Sequence, residues 1–135
     1  MLNKLNKKSR AGFTLVEIMI VVAIIALLAA IAVPGFLRAR KRSQASKVLN
    51  DLRLIDSAVD QYAIENNRTA ASVVTVAAWT QYMKAGTKLY TEGAGTYGTY
   101  GNQAVDALPR VPATAYAELS DVAPASFWAP YPVTP

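Results

Sequence analysis

The chain has 135 residues and a formal net charge of +5, and it contains neither cysteine nor histidine. That inventory excludes disulfides, thiolate chemistry, histidine–metal sites and triads that need an imidazole base. By length it is one small domain, with a thin water-soluble core that assembly would help, because small domains bury a smaller fraction of their surface.

Met1 to Gly12 is short, basic and polar, with Lys4, Lys7, Lys8 and Arg10 and no acid, like the n-region of a signal peptide. Twenty-one residues lie between Gly12 and Pro34, and Glu17 is their only charge. A run this long is a transmembrane-helix candidate, since about 20 residues at ~1.5 Å each cross a ~30 Å hydrocarbon core. A buried core helix is the competing reading. Against it, the run is apolar all round and the remaining chain is too small to wrap it. An ordinary secretory signal cut near Ala30-Ile31-Ala32 is a second competitor. The run exceeds the usual h-region of about 7–15 residues, however, and carries a carboxylate. At the centre of a span that carboxylate would cost about 2.5–3.5 kcal/mol; about one turn inside, it costs less. No Lys or Arg lies within the run, so the natural partner for Glu17 comes from another chain.

Arg10-Ala11-Gly12-Phe13-Thr14-Leu15-Val16-Glu17, behind a basic leader, resembles the class III signal of the type IV pilin and type II secretion pseudopilin superfamily. The resemblance covers Met1 to about Asn67. It implies that a prepilin peptidase cuts after Gly12 and that the same enzyme N-methylates Phe13. Glu17 falls at the family's mature glutamate position, and Pro34 matches a common proline by count from Phe13. In the family the new ammonium pairs with the glutamate of a neighbouring subunit during filament assembly. An uncompensated carboxylate in apolar surroundings is expensive, so such pairing would favour insertion into the filament. Loss of the four leader cations from fourteen basic residues would leave ten, against nine acids.

Past Pro34, Ala45, Val48, Leu52, Ile55, Val59 and Tyr62 recur at helical spacing as one apolar stripe. Lys47, Asp51, Arg53, Asp56, Asp60 and Glu65 fill the other face, with Lys47 and Asp51 spaced for weak mutual support. Paired Asn66 and Asn67 disfavour continuation. One long helix over about 13–67 is predicted, with Pro34 and Gly35 as a point of kinking or local loosening. The basic cluster Arg38, Arg40, Lys41, Arg42 reads as an anchor at the membrane end of the helix, with anionic headgroups or nucleic acid as the other reading. Both flanks of the span are basic, so orientation rests on the resemblance: leader in the cytoplasm, C-terminal half outside.

The remaining chain is expected to form a small head. Thr75 is a candidate N-cap for a helix over Val76 to Lys84, with Val74 and Trp79 as a hydrophobic staple and Gly86 as C-cap. Trp79, Tyr82 and Met83 would meet the Leu52/Ile55/Val59 stripe. Gly93-Ala94-Gly95-Thr96-Tyr97-Gly98 is a literal GxGxxG, but it lacks the strand–helix context of a dinucleotide site, so residues 92–102 read as a turn-rich hairpin region. A short extended segment is expected over Gln103 to Leu108. Pro112 can open a short helix to about Leu119. The stretch Phe127 to Pro132 reads as non-helical and packed back over the head, since exposed Phe and Trp together invite aggregation.

Type II secretion pseudopilins often carry calcium in their C-terminal loops. Glu92, Asp106, Glu118 and Asp121 are the acids available here; they lack EF-hand spacing, and calcium takes roughly six to eight oxygens. No cofactor or metal is therefore predicted, and the near-neutral C-terminal half argues against a nucleic-acid partner. Absent cysteines and a short head pull toward a pseudopilin-like subunit.

The expected fold is α+β, mostly α and type IV pilin-like: leader 1–12, membrane and filament-core half 13–34, amphipathic half 35–67, and head 68–135 with at most a minimal sheet. The expected function is a non-enzymatic filament subunit in the bacterial inner membrane. Its head would lie in the periplasm before assembly into a periplasmic or cell-surface filament. Expected partners are further copies, other pilins or pseudopilins, the prepilin peptidase, an inner-membrane assembly platform and the bilayer. The alternative is a membrane-anchored periplasmic binding module that never polymerises.

Overall fold

A computed structural model describes residues 12–133; the predicted leader up to Ala11 lies outside them. The chain divides into two compact units, Met1–Leu37 and Arg38–Pro135.

The dominant element is α1, Leu15–Glu65. Its ends lie within two residues of the expected helix. In the first unit every described residue is exposed. The most apolar stretch of α1 has a mean hydropathy of 3.0 with none of it buried, so the helix is long and apolar enough to cross a membrane. Pro34 lies inside α1, which continues through it and Gly35 without interruption. The proline ring removes the amide that would bond to the Ala30 carbonyl, and strong helix formers on the N-terminal side carry the turn across that gap. The C-terminus of α1 closes at Asn67, whose φ of 47° is left-handed. The Arg68 amide then reaches back to the Ala63 carbonyl at 2.9 Å, a closing bond of the Schellman kind.

In the second unit the stripe of α1 carries two core clusters. Ala45, Val48 and Leu52 pack with Val111, Ala115, Leu119, Trp128 and Tyr131. Ile55, Ala58, Val59 and Ala63 pack with Val74, Trp79, Leu89 and Val105. The chain leaving α1 thus covers the far end of the stripe first and the near end last. Two short antiparallel pairs complete this unit: β1 (Val73–Val74) with β4 (Gln103–Ala104), and β2 (Ala94–Gly95) with β3 (Gly98–Thr99). The minimal sheet content agrees with the expectation.

Several local expectations need correction. The helix after Thr75 is shorter than predicted: α2 covers Val76–Trp79, a 3-10 turn covers Thr80–Tyr82, and Met83 is extended. Gly86 is therefore not its C-cap. Thr75 makes no side-chain cap; Asn102 Oδ1 accepts from the Val76 amide at 3.1 Å instead. A cap from 26 residues away has no local signature. The predicted staple pair, Val74 and Trp79, is buried in one cluster. An unpredicted α3, Lys88–Glu92, is capped by the Thr87 side chain and ends on left-handed Gly93. It precedes the expected hairpin of β2 and β3. Helix α4 runs Ala113–Leu119 with Pro112 at the N-cap, one position earlier than a first-turn proline. Ala125–Trp128 forms a 3-10 turn, so Phe127 and Trp128 are helical in that limited sense. The predicted packing of this stretch holds, because Trp128 and Tyr131 are buried.

Candidate functional site

Gly12, Phe13 and Glu17 meet at the start of α1. Gly12 is exposed, with open space where a Cβ would stand, and Phe13 is 84% exposed. Nothing folds over the Gly12–Phe13 bond within the described residues. Thr14 and Glu17 form a reciprocal cap. The Thr14 amide donates to Glu17 Oε2 at 2.7 Å, the Thr14 hydroxyl donates to the same oxygen at 2.9 Å, and the Glu17 amide donates to Thr14 Oγ1 at 3.2 Å. This is a capping box, in which two orphan amides of the first helical turn are satisfied by each other's side chains. The Glu17 carboxylate also sits at the positive end of the helix dipole. Within a single chain it is therefore already partnered, although no cation is near it in sequence. Pro34 and Gly35 lie well inside α1, away from this cluster.

A second polar constellation lies in the second unit. Asp51, placed on the solvent face by sequence periodicity, is 7% exposed. The Tyr100 hydroxyl donates to its Oδ2 at 3.2 Å. Burial raises the Asp51 carboxyl, opposed by the Tyr100 hydrogen bond and then by Lys47. Burial also pushes the Tyr100 phenol up, reinforced by the Asp51 charge. A Cβ on Gly95 would stand 2.7 Å from the Tyr100 hydroxyl and 3.0 Å from Asp51 Oδ2, so this crossing of β2 requires glycine. Asp51 opens onto a groove of about 860 Å³ that includes Lys47, Leu54, Lys84 and Lys88. No nucleophile–base pair lines it, and no three carboxylates converge anywhere among the described residues.

Residues 7–33 match the model of the prokaryotic N-terminal methylation motif. The type II secretion system core protein G of Aeromonas hydrophila is 33% identical over 64 residues, 47% of this chain and 45% of that protein. The core protein G of Klebsiella michiganensis is 36% identical over 64 residues, with the same coverage of each chain. The type IV major pilin protein PilA of Myxococcus xanthus is 42% identical over 66 residues, 49% of this chain and 30% of that protein. The N-terminal half of the chain is thus similar to type II secretion system core protein G and to a type IV major pilin.

The matched segments of this chain span less than half the length of these relatives. No solved structure matches it. The methylation motif contains Gly12, Phe13 and Glu17 and stops one residue before Pro34. Thr14 was overlooked in the sequence, although the T-x-x-E spacing ahead of an apolar run is a capping-box signature. Asp51 left a fainter trace: it lies three residues after Val48 and four before Ile55, at the edge of the apolar stripe. Its partner Tyr100 is 49 residues away and leaves no such trace.

Proposed function

We propose that this chain is a structural subunit of a type IV pilus-like or type II secretion pseudopilus filament. It is made as a prepilin, cut after Gly12 and N-methylated on Phe13. Residues 13–34 hold it in the bacterial inner membrane until it polymerises, through its N-terminal helix, with further copies and with other pilins or pseudopilins. The prepilin peptidase and an inner-membrane assembly platform are its processing and assembly partners. Its role is assembly, without catalysis, and it needs no cofactor or metal.

The observation that carries this reading is the methylation motif over residues 7–33 leading into α1 with Glu17 in its first turn. In the free subunit the carboxylate is held by Thr14. Cleavage adds a cation, the Phe13 ammonium, next to Thr14. Assembly then exchanges the intrachain cap for an ion pair with the ammonium of a neighbour, which sets the stagger between subunits. Pro34, with its missing backbone bond, and Gly35 are the points where the helix can adjust in the polymer.

The mature N-terminus tests the processing. Mass spectrometry of the protein from its own host should find N-methyl-Phe13; a start near Val33, or retained Met1, sinks the reading. Glu17→Ala tests the assembly: cleavage should proceed while incorporation into sheared surface or periplasmic filaments is lost. Normal incorporation would refute the pairing role.

A further inference from the structure

Arg38, Arg40, Lys41 and Arg42 are more cations than the fold uses. Lys41 is bonded to Asp121 at 2.8 Å. Arg38, Arg40 and Arg42 are exposed, and among the described residues no acid pairs with them. At about 100° per residue, Arg38 and Arg42 stand about 40° apart on one side of the helix and Arg40 on the opposite side, so the cations form a two-sided collar and not a single stripe. A collar suits a surface crossed by the helix axis better than a duplex or a protein lying along one face.

The spacing names that surface. From Ile18 to Leu37, twenty residues carry no charge. At ~1.5 Å per residue these account for about 30 Å, the thickness of the hydrocarbon core. Arg38 to Arg42 then occupies about the next 6 Å of helix, matching the headgroup layer on that side. Three arginines there, none of them in an ion pair among the described residues, provide planar bidentate donors for phosphate oxygens.

We propose that Arg38, Arg40 and Arg42 form a binding collar for anionic phospholipid headgroups, which retains the unassembled subunit in anionic regions of the bilayer. The proposal rests on the membrane-span reading above and adds the lipid class. Lys41 stays with Asp121 and holds α1 to the segment after α4. The arginines exchange their lipid phosphates for other partners when the subunit leaves the bilayer.

The test uses the full-length chain. It is first floated with neutral phosphatidylcholine vesicles; failure to co-float overturns the membrane reading and the collar together. The detergent-solubilised chain is then offered equal phosphatidylglycerol and phosphatidylcholine, and retained lipid is counted by native mass spectrometry. Phosphatidylglycerol should be retained in preference. That preference should fall about fivefold for each arginine changed in Arg38→Gln, Arg40→Gln and Arg42→Gln, singly and combined. Lys84→Gln/Lys88→Gln should retain it. A chain that floats but shows no phosphatidylglycerol preference, or a triple variant that keeps it, overturns the collar alone. Displacement of the lipid by a short DNA duplex with the same arginine dependence would also overturn it, in favour of a nucleic-acid surface.

Discussion

Asp51 is a residue whose ionisation the head opposes. Burial raises its carboxyl more than the Tyr100 hydrogen bond and Lys47 lower it. With a folded-state pKa above the unfolded one, the folded head holds the proton more tightly, so stability falls as pH rises through that window. The penalty is fully present above the window and absent below the ordinary aspartate range. Asp51→Asn keeps an acceptor for Tyr100 and removes the charge. It should therefore melt higher than the parent at pH 7 and lose that advantage near about pH 3. A variant that melts lower at pH 7 would show that the charged hydrogen bond outweighs desolvation. Asp121 titrates in the opposite sense: its hydrogen bond to Lys41 holds it low, so its contribution is present above the ordinary carboxylate range and fades as pH falls through the lowered value. In the first turn of α1, Glu17 was legible as a candidate site because its charge stands alone in an apolar run. Its intrachain partner Thr14 came only from the structure, although the T-x-x-E spacing carries its signal.

Elements in the head depend on close approaches more than on propensity. Gly93 ends α3 with φ of 60°, and a Cβ there would run into Val76 Cγ1 and stand 3.3 Å from the Trp79 ring. Gly86 also has positive φ, 85°, but nothing lies within 4 Å of its would-be Cβ. The pair separates backbone cost from packing cost. Gly86→Ala should lose about 1 kcal/mol, the left-handed penalty alone, whereas Gly93→Ala should lose about 2–4 kcal/mol as overpacking adds to it. Chemical denaturation of both variants checks this, and equal losses would mean that Val76 and Trp79 yield without cost. The same dependence explains the shortened α2. Propensity carried the helix to Lys84, but the cap from Asn102 and the burial of Trp79 under residues 93–101 fix where this segment turns.

At the scale of the molecule, the two core clusters share one helix and one side chain, Tyr100, which packs against both. Each cluster also holds one of the two tryptophans, with Trp79 Nε1 donating to the Gly101 carbonyl and Trp128 Nε1 to the Ala123 carbonyl, both at 3.1 Å. A shared helix under both clusters predicts one cooperative transition. In Trp79→Phe, fluorescence reports the Trp128 cluster; in Trp128→Phe it reports the other. Within each variant the fluorescence midpoint should coincide with that of far-UV circular dichroism. Separated midpoints would mean that the clusters melt independently and that Tyr100 does not couple them.

The sequence by itself determined the long helix, its apolar stripe, the cleavage-type motif and the resemblance of the N-terminal half to pilins and pseudopilins. These are local or periodic properties: an uninterrupted apolar run, a three-to-four-residue repeat, and a motif contained in residues 7–33. Only the tertiary structure decided the order in which the head covers α1, the partner of Asp51, the remote cap of α2 and which glycines are costly to replace. Each of these depends on atoms brought together from tens of residues apart, and neither spacing nor propensity along the chain encodes such a meeting.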